Sequence, residues 1–460
     1  MAGCGRGEVP ESTPLPAGIA PGARVELKIA ALAYGGAGVA RKEGFVVLVD
    51  RVLPGEEVQV EITQVSRRFA RARLLAIGTP SPQRQDPPCP HDPLCGGCAY
   101  QALGYPLQLE TKRAQVIELL QRIGKIDSPP VGAAIPSPIP FGYRRRMSYT
   151  LAAVEGVGGG LHQRADPSSV LEVSGCLLPE PNLQTAYLRL LPELRSLKLL
   201  ERPRQMDLHS GSGSANPVAL FRSDRWPTSE FRKLALEWVQ RGGMVTGVLW
   251  LKQESARSRS ARGKRLLLAG KGEVEETLEE FRVRIPAGSF FQANPPLAAK
   301  VFQEITRRCG AGRESILELY SGVGALTLFL AAHGRRVSAV EGNPDSVRAA
   351  RDNLSLNGFH DVEWIQADVR DVLARWSREG TSFDIVVLDP PRTGLPRDAA
   401  GQLSSLARKR ILYLSCDPAT LARDLREILG SGDWVLQEVV PVDFFPQTAG
   451  IESLAVLERS

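Results

Sequence analysis

The feature that most restricts the fold is an alternation within residues 285–460. Short β-rich runs (Ser315–Leu319, Arg336–Glu341, Val362–Gln366, Phe383–Asp389 and Arg410–Ser415) take turns with segments of helical spacing, and Trp434–Val440 and Ser453–Glu458 follow. Strands and helices that alternate in this way bury their apolar faces together when the strands run parallel and helices cover both sides. The reading is an α/β domain with a doubly wound sheet. In such sheets ligands sit beyond the carboxyl ends of the strands, so the residues just after each run are where chemistry is expected.

Those positions carry a consistent set of groups. The first strand runs into Gly322-Val-Gly324, where glycine lets the backbone approach a ligand closely. The third glycine of a dinucleotide fingerprint is replaced by Thr327, and no GxxxxGK[ST] phosphate loop occurs. Glu341 ends the second strand, where a carboxylate would hold ribose hydroxyls, and Asp368 follows the third, within reach of an adenine amino group. Together they predict an adenosine ligand, S-adenosylmethionine rather than ATP. The fourth strand ends in Asp389-Pro390-Pro391-Arg392, whose prolines stop the strand and fix a carboxylate at its edge. The fifth ends in Ser415-Cys416-Asp417-Pro418, and a thiol beside a helix start is expected to have a depressed pKa. If the last strand runs antiparallel to the others, Glu452 begins at this same edge.

Upstream, residues 24–77 alternate apolar and polar positions between turn signals, as a small β-barrel does. Arg67, Arg68, Arg71 and Arg73 place four like charges within seven residues, suited to tracking a phosphate backbone. The first 22 residues, with four prolines and five glycines, read as a flexible tail. Leu103–Gly124 has helical spacing, and residues 140–280 read as mixed α/β. Two basic stretches interrupt that region, Arg144-Arg145-Arg146 and Arg257, Arg259, Arg262, Lys264 and Arg265; nucleic-acid contact is assigned to the second. The formal charge is +6, a mild bias toward a polyanionic partner. No run of 18 apolar residues suggests a membrane span, and no secretory signal opens the chain, so a cytoplasmic protein is expected. Of seven cysteines, Cys89, Cys95 and Cys98 cluster, and in a reducing compartment such a cluster points to metal ligation. Thiolates of this kind suit an iron–sulfur cluster or tetrahedral zinc equally well, with His91 a further possible zinc ligand. Cys4 and Cys309 read as ordinary thiols.

Several of these segments taken together resemble one family. Phe290-Phe-Gln-Ala-Asn294, Glu318-Leu-Tyr-Ser-Gly-Val-Gly324, Asp389-Pro-Pro-Arg392, Leu414-Ser-Cys-Asp-Pro418 and Phe445-Pro-Gln-Thr448 are similar to motifs of the RNA (uracil-5-)-methyltransferases. The barrel and the Cys-x5-Cys-x2-Cys spacing resemble the branch acting on 23S ribosomal RNA. The resemblance implies an N-terminal TRAM domain of oligonucleotide-binding type over 23–79, a central RNA-binding domain over 80–284, and a class I, Rossmann-like methyltransferase domain over 285–460. It implies Cys416 as the nucleophile that adds to carbon 6 of uracil and Glu452 as the base that removes the carbon 5 proton. It assigns Gln292, Tyr320, Gly322, Gly324, Glu341, Asp368 and Asp389 to the S-adenosylmethionine pocket, with Asp389 also helping to hold the uracil. It makes Cys89, Cys95, Cys98 and Cys176 the ligands of a [4Fe-4S] cluster. The target base would be unstacked and turned into the pocket. Two positions depart from the family: Gly450 stands where histidine is common, and Ala325 where asparagine is common.

The expectation is a monomer that methylates a uridine of 23S ribosomal RNA. Three alternatives stay open: transfer RNA as substrate, an exocyclic base nitrogen as target, and a non-catalytic RNA-binding or assembly protein.

Overall fold

The structure is a computed structural model describing residues 16–151, 158–198, 203–240, 243–253, 263–310, 312 and 314–460. It divides into two compact units. The first comprises residues up to Pro88 together with Ala99–Thr111, and the second comprises Cys89–Cys98 and Lys112–Ser460. Helix α1 (Tyr105–Arg122) is divided between them after Thr111.

The first unit is a closed barrel of β1 (Arg24–Leu32), β2 (Gly38–Lys42), β3 (Phe45–Val49), β4 (Glu57–Val65) and β5 (Phe69–Thr79), in the order β1-β2-β3-β5-β4. Its alternating sequence gives each strand one inner face: Val25, Leu27 and Ile29 are buried while Arg24, Glu26 and Lys28 point outward. Ile19 is buried in the same core and Gly22 donates to the Ile62 carbonyl at 2.8 Å, so the expected flexible tail does not extend to residue 22. Glu56 is fully buried and accepts from the Leu53 and Ser81 amides and the Arg84 guanidinium, tying the strand connection to residues past β5. Arg71 and Arg73 both lie on the exposed face of β5, Arg73 paired with Glu61 and Arg71 over the Phe69 ring.

In the second unit, β6 (Arg146–Thr150) is followed by a short ladder of β7 (Leu161–His162) and β8 (Val170–Leu171), then α2 (Pro181–Ser196), β9 (Gln205–His209), β10 (Val218–Ser223), α3 (Ser229–Gln240), β11 (Gly247–Lys252) and β12 (Lys264–Gly270). The sheet order is β12-β11-β10-β9-β6. Tyr187 and Leu190 of α2 and Phe231 and Trp238 of α3 cover it, meeting Phe221 and Trp250 from the strands. Phe231 stacks edge-on against Phe221, Trp238 and Trp250, the preferred aromatic geometry. A hairpin of β13 (Glu273–Leu278) and β14 (Phe281–Pro286) leads onward.

The remainder is α4 (Pro295–Arg308), β15 (Ser315–Leu319), α5 (Ala325–Ala331), β16 (Arg336–Glu341), α6 (Pro344–Leu356), β17 (Glu363–Gln366), α7 (Val369–Glu379), β18 (Phe383–Leu388), α8 (Ala399–Leu406), β19 (Ala407–Ser415), α9 (Pro418–Leu429), β20 (Trp434–Val442) and β21 (Glu452–Arg459). Seven strands form one sheet in the order β17-β16-β15-β18-β19-β21-β20. The first five are parallel, as their helical connections require, and β21 enters antiparallel beside β19. β15 is buried at every position, as expected for a central strand covered on both faces. Polar residues at the strand ends start the next helices: Asn343, Asp368 and Asp417 each accept a backbone N–H of the first turn of α6, α7 and α9.

Candidate active site

The ligand edge begins after β15. Tyr320, a non-glycine residue, is held at φ 64°, and Gly322 and Gly324 follow at φ 57° and 79°. A side chain on Gly322 would meet nothing within 4 Å, so the turn leaves open space at its surface, whereas one on Gly324 would press on Ala350 of α6 at 3.0 Å. The Gly322 amide donates to Glu341 Oε2 at 3.0 Å and the Asn343 amide to Oε1 at 2.7 Å, fixing the carboxylate between two strand ends. This cradle, with a fixed acid beside open glycine backbone, fits a nucleoside. Asp368 is committed locally: it caps α7 through the Arg370 amide and pairs with the Arg370 guanidinium, with half its side chain exposed. Its carboxylate and that of Glu341 both act on the Tyr320 hydroxyl, which burial first, and then these acids, push up to about 12.

The register of β19 against β21 builds the second half of the site. Ser415 pairs with Ser453, so Cys416 and Glu452 occupy the next positions along the two antiparallel strands. Glu452 is 2% exposed, and its Oε2 has no hydrogen-bond partner among the described residues. Asp389 lies at the end of β18 and accepts from Gln292 Nε2 at 3.3 Å. Burial, opposed by that bond, pushes the Asp389 carboxyl up to about 7. Burial, reinforced by Asp389, raises Glu452 well above the usual carboxylate range. The Cys416 thiol is pushed up to about 11, by burial first and then by Glu452 and Asp389, with Arg392 opposing. The expectation of a depressed thiol pKa is therefore wrong: two nearby carboxyls and desolvation outweigh the start of α9.

The segment between β20 and β21 carries Glu452 to this edge. Phe444 and Ile451 are buried, Thr448 donates to the Phe445 carbonyl, and Gly450 N–H donates to the Thr448 hydroxyl. Gln447 is 3% exposed at φ 70°, a strained conformation for a residue with a side chain. A Cβ on Gly450 would approach the Phe445 ring to 2.9 Å. The glycine that replaces the family's frequent histidine is thus required by this packing.

Comparison with known proteins accounts for the arrangement. The family model for tRNA (uracil-5-)-methyltransferase matches residues 256–460 and that for the TRAM domain matches residues 20–75. An uncharacterized RNA methyltransferase of Nitratidesulfovibrio vulgaris is 34% identical over 463 residues, covering 96% of this chain and 97% of that one. One from Gloeobacter violaceus is 32% identical over 459 residues, covering 97% and 98%. This chain belongs to the RNA (uracil-5-)-methyltransferase family. A crystal structure of Pyrococcus abyssi tRNA (uracil-54, C5)-methyltransferase in complex with S-adenosyl-L-homocysteine superposes with a TM-score of 0.72 at 25% identity, covering 94% of this chain and 99% of that one. The protein is accordingly an S-adenosylmethionine-dependent RNA methyltransferase with an N-terminal TRAM barrel.

Within this methyltransferase the cysteine-rich loop is tightly held. Cys89, Cys95 and Cys98 are buried and Cys176 is partly so. Cys98 and Cys176 pack together with Tyr143 and Leu178. Burial first, and then the thiols of Cys95 and Cys89, raise the proton affinity of Cys176, which places these sulfurs within electrostatic reach of one another. Gly97 N–H donates to Cys95 Sγ at 3.4 Å, and Arg164 donates to the Cys95 and Cys98 carbonyls. His91 is engaged elsewhere, accepting from the Ser174 amide at 3.1 Å. Among the described residues no three His, Cys, Asp or Glu side chains stand close enough to share one metal ion.

Several residues of the site were not singled out by sequence. Arg392 is the cation that acts on both Cys416 and Glu452. Glu318 is buried behind the glycine turn, where burial, opposed by the Thr327 hydroxyl, pushes it up to about 8. Both sit in motifs quoted above, yet neither carries a local signal of its role. Of the basic stretches, Arg145 is taken up by Glu180 and the buried Glu276, and Arg146 by Asp207. Arg257, Arg259 and Arg262 lie outside the described residues. Among the described residues no helix is long and apolar enough to cross a membrane.

Proposed function

We propose that this methyltransferase modifies carbon 5 of a uridine through a covalent adduct between Cys416 and carbon 6. The observation that carries the reading is the β19–β21 register, which sets a thiol and a buried carboxyl side by side at the ligand edge. When bound at the Gly322 turn, against Glu341, S-adenosylmethionine supplies an electrophilic methyl group. Carbon 5 of uracil is a poor nucleophile, and addition of sulfur to carbon 6 makes the ring an enolate with its electron density on carbon 5. The Cys416 proton passes to the Asp389 carboxylate, which at a pKa of about 7 is partly ionised at neutral pH, and on to solvent. Glu452, whose burial favours the protonated acid, releases its own proton toward solvent as the adduct forms, and after carbon 5 gains the methyl group its carboxylate takes the carbon 5 proton. The electrons of that C–H bond rebuild the ring double bond and expel the Cys416 thiolate. A desolvated carboxylate is a strong base, which removal of a carbon-bound proton requires. The Gln292–Asp389 bond holds the second carboxyl in place for the pyrimidine.

The substrate assigned is 23S ribosomal RNA, supported by the resemblance of the spacing of Cys89, Cys95 and Cys98 to that of the ribosomal branch; with Cys176 we propose that they hold a [4Fe-4S] cluster. Transfer RNA is the second reading, favoured by the match to the tRNA (uracil-5-)-methyltransferase family and by the likeness to the Pyrococcus abyssi tRNA (uracil-54, C5)-methyltransferase. Mapping 5-methyluridine in both RNAs from cells lacking the gene decides between them. Complementation with the wild-type gene but not with Cys416→Ala is expected to restore one site, in 23S RNA; loss confined to transfer RNA overturns the assignment. A stable adduct between the wild-type protein and 5-fluorouridine RNA, absent in Cys416→Ala, tests the covalent step. Iron, sulfide and zinc content of anaerobically purified protein tests the cluster.

A further inference from the structure

The segment that delivers Glu452 is fastened at its start by residues remote in sequence. Lys112, on α1, is 1% exposed, and its ammonium donates to Asp443 Oδ1 at 2.6 Å and to the Phe445 carbonyl at 3.0 Å. Tyr143 donates its hydroxyl to the Pro446 carbonyl at 3.1 Å. The Arg144 guanidinium lies 5.6 Å from the centre of the Phe445 ring and 5.7 Å from that of Tyr143. The other side of the fastening is the contact of Phe445 with Gly450, two residues before Glu452. A contiguous path therefore runs from Lys112 and Arg144 through Phe445 to the backbone that aims the carboxyl. The same path starts at the cysteine site, because Tyr143 packs on Cys98 and Cys176.

We propose that Lys112 is a positioning residue for the proton-removal step, holding Asp443–Pro446 so that Glu452 stands at carbon 5, while Tyr143 and Arg144 anchor the same segment to the cysteine-rich loop. A buried ion pair is a poor source of net stability, since desolvating both charges cancels most of the attraction. Its two donated bonds to one short segment instead fix a conformation that includes the strained Gln447. Lys112 touches neither RNA nor methyl donor in this scheme; it acts through the loop.

The inference rests on the proposed role of Glu452, and the test separates the two. With 5-fluorouridine RNA the reaction stops at the methylated adduct, because carbon 5 carries no proton to remove, so adduct formation reports Cys416 and methyl transfer alone. With ordinary RNA, completion also needs proton removal. Lys112→Met is expected to form the 5-fluorouridine adduct within about threefold of the wild-type rate. Its turnover of ordinary RNA is expected to fall by about 100-fold or more, the scale of general-base contributions, with a denaturant-stable protein–RNA adduct accumulating. Its iron content and melting temperature serve as readouts of the cysteine site and of folding. Should the single variant fail to fold, Lys112→Met with Asp443→Asn removes both charges together and is expected to show the same split. Parallel loss of both reactions in a folded variant, or unchanged turnover, overturns the positioning role. Failure of the wild-type protein to form the 5-fluorouridine adduct overturns instead the reaction on which it rests.

Discussion

The sharpest consequence of the site's electrostatics concerns Cys416 before RNA binds. Its thiol is pushed from 9.0 up to about 11, by burial and then by Glu452 and Asp389. Two pKa units correspond to about 2.7 kcal/mol, or roughly a hundredfold less thiolate at pH 8 than for an ordinary cysteine. A more basic thiolate is also more nucleophilic, and with a Brønsted slope near 0.4–0.5 this returns about a factor of ten. Alkylation by iodoacetamide without RNA is therefore expected to be about tenfold slower than for an ordinary thiol at pH 8. The shape is more telling than the rate: the logarithm should climb about one unit per pH unit to pH 10 without levelling. Peptide mass spectrometry isolates modification at Cys416, with Cys416→Ala as the blank. Glu452→Gln and Asp389→Asn each remove a charge that disfavours the thiolate and should lower the inflection, whereas Arg392→Gln should raise it. A plateau below about pH 8.5 in the wild-type protein would falsify this account and restore an activated resting thiolate. If the climb is observed, activation belongs to the complex, in which the substrate displaces water and accepts the sulfur as its proton leaves.

Other outcomes follow from single features of the fold. Glu318 binds its proton more tightly folded, at about 8, than unfolded, at 4.5, so the folded state loses stability as pH rises between those values. The loss reaches as much as ~5 kcal/mol above pH 8. Calorimetry of Glu318→Gln should show a raised melting temperature at pH 8.5 and little change at pH 4.5; equal shifts at both would refute the buried-carboxyl assignment. Gly450→His, although it restores a residue frequent in the family, should lower both melting temperature and turnover, because its Cβ meets the Phe445 ring at 2.9 Å; a gain in turnover would show that the ring yields. Arg67 and Arg68 are exposed between β4 and β5. Replacing both by serine should weaken binding to single-stranded RNA and flatten the slope of log K against log salt by about 1.4, two phosphate contacts at roughly 0.7 each; an unchanged slope would remove this turn from the RNA interface.

The chain's local patterns determined much of this protein. Alternation of strand and helix runs in the C-terminal residues pointed to a parallel sheet covered by helices on both faces, and the period of two in residues 24–77 to strands with one inner face. The groups at strand ends were legible for the same reason: a parallel sheet gathers all its carboxyl ends at one edge, so Gly322, Glu341, Asp389 and Cys416 had to be neighbours. Tertiary structure decided what depends on partners distant in the chain. Whether Glu452 joined that edge hung on the direction of β21, which a short apolar run does not encode and the pairing with β19 supplies. The thiol's pKa followed burial and charges from two other strands rather than the adjacent helix, reversing the local expectation. Ile19 joined the barrel core because burying its side chain among the strands' apolar residues outweighs the flexibility of a glycine- and proline-rich segment. Arg145 and Arg146 turned inward because buried carboxylates awaited them. Lys112 and Asp443, 331 residues apart, had no common signal at all. Periodicity records which face of an element is apolar; which charges meet across elements is fixed only once the chain has packed.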